Sequence, residues 1–101
     1  MSPTAYRYRF QERVPLKDVE ETLLLGVLAA EGLHGAARVA MDARYSLDKD
    51  RRACAVDATS DAGRDIARIF TSLLIHEFGP DAFHVEAVEL ACGKRCAEAR
   101  A

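Results

Sequence analysis

Residues 36–59, AARVAMDARYSLDKDRRACAVDAT, decide how the chain is read. Val39, Met41, Ala43, Tyr45 and Leu47 alternate with Ala40, Asp42, Arg44 and Ser46. A period of two with one apolar side is the pattern of a half-buried strand. The polar run Asp48-Lys49-Asp50-Arg51 interrupts it and reads as a connection, although no Asn-Gly or Asp-Gly fixes the turn type. A return strand over 52–58 then sets Cys54, Val56 and Ala58 on one face, with Ala53, Ala55 and Asp57 on the other. The stretch therefore predicts a β-hairpin, flanked on each side by a helix-length segment and, beyond that, by a further strand.

Upstream, Tyr6, Tyr8 and Phe10 alternate with Arg7, Arg9 and Gln11, predicting a strand over 5–12. Unpaired arginines are too costly to bury, so the aromatic side turns to the core and the arginine side outward. A helix is expected from Pro15, a good first-turn residue, to about Leu33, with Gly35 as its stop. At about 100° per residue, Leu16, Val19, Leu23, Val27 and Ala30 form its inner stripe. Leu25 and Leu28 fall nearly opposite, with Leu24 on the flank.

Downstream, Thr59, Ser60 or Asp61 can cap a second helix that ends at Gly79-Pro80. Ile66, Ile69, Phe70 and Leu73 make its inner stripe. Ile75 points away, with Leu74 and Phe78 beside the stripe. A final strand over 83–89 turns Phe83, Val85 and Ala87 inward and His84, Glu86 and Val88 outward. A polar, alanine-rich tail from residue 91 is expected to fray.

The order β-α-β-β-α-β over about residues 5–90 resembles the ferredoxin-like fold. That resemblance implies an α+β two-layer sandwich, with a four-stranded antiparallel sheet in the order 4-1-3-2 and two helices on one face. It carries no activity with it, because the architecture hosts many unrelated functions.

Composition narrows the class. At 101 residues the chain is expected to form a single domain. Half the residues are hydrophobic and 30% are charged, against disorder. Eighteen alanines make the core lean, so each large side chain counts. A net charge of −2 gives no footprint for nucleic acid. No segment reaches the roughly 20 apolar residues of a membrane span, and the first ten residues lack an apolar signal core, so a cytoplasmic location is expected. Three cysteines at irregular spacing read as reduced thiols.

Chemistry is sparse. On the open sheet face, Arg7 and Arg9 are expected beside His84 and Glu86, followed by Ala53, Ala55 and Asp57, then Arg38, Asp42 and Arg44. A His and a carboxylate two residues apart suit acid–base work or metal binding, but metal sites need three or four converging ligands. Cross-strand charge pairing explains them more simply. Base stacking is disfavoured, because the aromatics of the first strand turn inward. Thr59–Arg64 leads into a helix N-terminus but matches no phosphate-binding loop. Cys92 and Cys96 lack CxxC spacing, and His34 reads as a hydrogen-bonded structural residue. No metal, cofactor or catalytic residue is expected.

The leading expectation is a noncatalytic domain that associates with itself or another protein through Leu24, Leu25, Leu28 and Ile75. A small-ligand or regulatory module on the open face, using Arg7, Arg9, His84 and Glu86, is the alternative. An enzyme built on that same cluster ranks third.

Overall fold

The computed structural model describes residues 4–89. Within them, β1 (Thr4–Phe10), α1 (Leu16–His34), α2 (Ala36–Asp42), β2 (Tyr45–Asp48), β3 (Ala53–Asp57), α3 (Asp61–Phe78) and β4 (Phe83–Glu89) follow in order, with one 3₁₀ turn over Pro80–Ala82. The strands form one antiparallel sheet in the order β2-β3-β1-β4, which is 4-1-3-2 from the β4 edge. The tail expected from residue 91, with Cys92 and Cys96, lies outside the described residues.

β1 alternates as its sequence predicts: Tyr8 and Phe10 are buried against the helices while Arg7 and Arg9 are exposed. Val19, Leu23, Val27 and Ala30 of α1 and Ile66, Ala67, Phe70 and Leu74 of α3 complete the core. Leu74 and Phe78 are therefore not surplus: Leu74 is fully buried and Phe78 packs against the core. The Tyr8 ring stands edge-on to Phe70, centroids 4.9 Å apart. Thr71 Oγ1 donates to the Ala67 carbonyl at 2.7 Å, which leaves it to accept from the Tyr8 hydroxyl at 2.8 Å. The one polar atom of this aromatic core is thus satisfied.

The predicted hairpin over 36–59 is half wrong. Residues 36–42 are not strand but a seven-residue helix, α2, so the helical layer has three members rather than two. Gly35, at φ 92°, stops α1 and starts α2, whose axis departs by 118°. Alanines and Met41 are good helix formers, and one buried side chain per two turns satisfies a short helix as well as alternation satisfies a strand. Val39 remains buried, as expected, but from a helix. Met41, expected inward, is 75% exposed. Arg38 and Asp42, expected on the open sheet face, pair with each other at 3.3 Å along α2. Tyr45, also expected inward, is exposed on the short edge strand β2.

The return turn is held by side chains. Asp48 Oδ1 accepts from the backbone N–H of Asp50 and of Arg51. Arg52 takes a left-handed conformation, φ 53°, and its guanidinium donates to the carbonyls of Gln11 and Val14. The β2–β3 turn is thereby tied to the β1–α1 connection. At the start of α3, Ser60 caps the helix by accepting from the Gly63 N–H at 3.0 Å. Gly63 lies so close to the end of β3 that a Cβ there would fall on the Asp57 carbonyl oxygen, and only glycine permits that approach.

Candidate functional surfaces

Two surfaces present themselves, one on each side of the sheet. On the helical side, Leu24, Leu25 and Leu28 are 49%, 56% and 61% exposed. At about 100° per residue they span roughly a 100° arc of α1, opposite Val19, Leu23, Gly26 and Ala30. Glu21 and Lys17 lie one and two turns before Leu25 on the same arc, and Gly32 lies one turn after Leu28 with open space where a Cβ would stand. The stripe is an apolar centre with a charged end and a smooth end.

Ile75 is exposed as well, but on another flank. It follows Thr71 and Ser72 by one turn, and these side chains line a groove between α3 and the sheet. The groove encloses about 540 Å³ and reaches Tyr6, Tyr8 and Val85. The face of α3 that meets α1 is instead the one carrying Ile66 and Phe70, against Gly26. Leu24, Leu25 and Leu28 therefore form one stripe, and Ile75 stands apart from it, one turn beyond the groove-lining Thr71 and Ser72. Leu33 and Met41 add exposed apolar surface that sequence reading did not single out. Leu33 had looked like a helix end and Met41 like core.

His34 and Asp65 close the far end of the helical layer. Nε2 of His34 lies 2.7 Å from Asp65 Oδ2, joining the last turn of α1 to the first turns of α3, with both side chains largely buried. A histidine at a helix C-terminus facing a carboxylate is a structural tie, as its place on the inner side of the first helix implied.

On the open side, register fixes the arrangement. One row across the four strands reads Glu86, Arg7, Ala55, Ser46; the next reads His84, Arg9, Ala53, Asp48. His84, Glu86, Arg7 and Arg9 are brought together as expected. Arg7 Nη1 and Glu86 Oε2 are 3.6 Å apart, and both side chains are nearly half exposed. Such a pair is worth about 0–1 kcal/mol. Asp48 and Arg51, which the sequence reading treated only as turn residues, border this face and pair at 3.8 Å.

The groups whose protonation the fold shifts lie between the two surfaces. Burial pushes the Tyr8 phenol up to about 12 and the Cys54 thiol up to about 12. Both side chains are buried in the core. No three His, Cys, Asp or Glu side chains converge on a common point among the described residues. No described helix is by itself long and apolar enough to cross a membrane. Compared with protein-family models, curated proteins and solved structures, the chain matches none of them.

Proposed function

We propose that the protein is a noncatalytic ferredoxin-like α+β domain whose role is association, first of all with a second copy of itself through the outer face of α1. The observation that carries this reading is the solvent exposure of Leu24, Leu25 and Leu28 on a single stripe. A contiguous apolar patch of a few hundred Å² is about the limit for a monomer. A twofold axis lets one stripe cover its own copy, and antiparallel pairing about Leu25 and Leu28 keeps Lys17 and Glu21 at the wet ends of the seam. The smooth surface at Gly32 favours close approach of the second helix.

The rival dimer joins the open sheet faces. It would bury Arg7, Arg9, Asp57 and Glu86, at a cost of several kcal/mol for each charge left unpaired. An enzyme using His84 and Glu86 has less support, because Glu86 is already engaged by Arg7 and both side chains lie on an exposed strand surface.

Sedimentation of the wild type beside Leu25→Glu/Leu28→Glu tests the proposal. The wild type, 11.1 kDa per chain, should sediment as a dimer. Removing two leucines from the seam and adding two like charges should weaken dimerisation by at least about a hundredfold, leaving a folded monomer. An unchanged dimer would remove the α1 face from the argument, and a wild-type monomer at high concentration would remove self-association.

A further inference from the structure

On the open side of the sheet, away from the α1 stripe, the four-strand rows leave a hollow. Ala53 and Ala55 occupy the β3 column in both rows, between Arg9 and Arg7 on β1 and Asp48 and Ser46 on β2. Strands lie about 4.8 Å apart, so the arginine column and the Ser46/Asp48 column stand about 10 Å apart across a floor of methyl groups. The depression has a volume of about 420 Å³. Its walls carry opposite character: guanidinium on one side, a carboxylate and a hydroxyl on the other.

The two arginines are not equivalent. Arg7 lines the hollow but pairs with Glu86 on β4, the strand on the other side of β1. Arg9 faces His84 on β4 and Ala53 on β3, and forms no ion pair among the described residues. Of the three arginines that line the depression, Arg7 and Arg51 are paired with carboxylates and Arg9 is not, and its planar fork of donors matches a carboxylate in two parallel hydrogen bonds. Across the floor, Asp48 Oδ1 already accepts from two backbone N–H groups of the turn, which leaves Oδ2 to repel a second negative charge and to accept from an N–H donor. Arg51, also on the rim, already offsets part of the Asp48 charge at 3.8 Å. A second anionic group on the ligand would meet Asp48 unfavourably, and a purely cationic one would meet Arg9.

We infer that the Arg9–Ala53–Ala55–Asp48 hollow is a binding site for a small, flat zwitterion: a carboxylate held by Arg9, an apolar body on the two alanines, and an ammonium received by Asp48 with Ser46 beside it. The juxtaposition depends on strand register, since a slip of one residue would turn Ala53 and Ala55 to the core and put Cys54 between the two walls.

The test is a titration of the full chain with 4-(aminomethyl)benzoate, followed by amide proton–nitrogen correlation spectra, with benzoate and benzylamine as the halves of the probe. The zwitterion should give saturable shifts at Arg9, Ser46, Ala53 and Ala55, with each half-probe binding more weakly. Arg9→Gln should weaken binding by at least about tenfold, the loss of one charge-assisted contact. Ala55→Leu fills the floor while leaving every charge in place, and should abolish the shifts in a protein whose remaining spectrum is unchanged. Arg38→Gln, on α2, should leave the affinity as it was. Absence of saturation, or equal affinity in Arg9→Gln or Ala55→Leu, overturns the site. Benzoate binding as tightly as the zwitterion overturns the assigned ligand class.

Discussion

Phe70→Ala should lower the free energy of unfolding by about 3–5 kcal/mol. The ring is fully buried at the centre of the molecule, where α3 meets both the sheet and α1. It packs against Tyr8 in a T-shaped pair, centroids 4.9 Å apart, and its backbone N and Cβ lie beside Gly26 of α1. Truncation removes the transfer energy of the ring and leaves a cavity that cannot close easily. Tyr8 is pinned by Thr71. With so many alanines in the core, no flexible neighbour of similar size stands ready to fill the space. Since whole domains are stable by only about 5–15 kcal/mol, the variant should be near its unfolding midpoint in modest urea. A loss under about 1 kcal/mol in urea melts would mean that the ring is not packed as described.

Alkaline pH should strip a comparable amount of stability from the intact protein. In the unfolded chain the Cys54 thiol ionises near its ordinary value of 9.0 and the Tyr8 phenol near 10.0. In the fold, burial holds both up to about 12. Between those values the unfolded chain has released protons that the folded chain retains, so stability falls as pH rises. Below about pH 9 this contribution is fully present. Each group loses about 1.4 kcal/mol per pH unit inside its own window, giving a combined loss of about 4 kcal/mol by pH 11. Urea melts at pH 8, 9.5 and 11 check this, each variant being compared with its own value at pH 8. Cys54→Ala should delay the onset by about one pH unit, leaving the tyrosine limb. A profile that stays flat to pH 11 would contradict the burial of both groups.

Much of the architecture was legible because its elements carry one unambiguous period each. β1 pairs aromatics with arginines, and no helical winding would separate Tyr6, Tyr8 and Phe10 from Arg7 and Arg9 so cleanly. α1 and α3 are long enough for a stripe at 3.6 residues to stand out, and glycines at 35 and 79 end them in positive φ. The segment 36–42 failed for the opposite reason. Its alternation rests on Val39 and Met41 against alanines and Asp42, and alanine is neutral about which side it lies on. Local helix propensity, together with the sharp corner at Gly35, decided the outcome.

The two surfaces differ in the same way. The exposed stripe on α1 could be read by winding the helix, because it depends on one element alone. The alanine hollow depends on three strands in register, and that register is set by the Asp48 turn and the left-handed Arg52, for which no Asn-Gly signature exists. Arg7, Arg9, His84 and Glu86 were recognised as neighbours, while Ser46 and Asp48 were not seen as the opposite wall.

The corner at Gly35 has a consequence for motion. α2 buries Val39 and otherwise exposes nearly all of its seven residues, and a helix of two turns has little stability of its own. Its hydrogen bonds should therefore open by local fraying, with the sheet and the long helices still closed. In deuterated solvent the amides of residues 40–42 should exchange far sooner than those of Val27 or Phe70, which open only with the whole domain. Equal protection in the two regions would mean that α2 is bound into the core more firmly than one valine allows. α2 is then the part of the α1–β2 connection that opens on its own, while the long helix and the strand it joins stay closed.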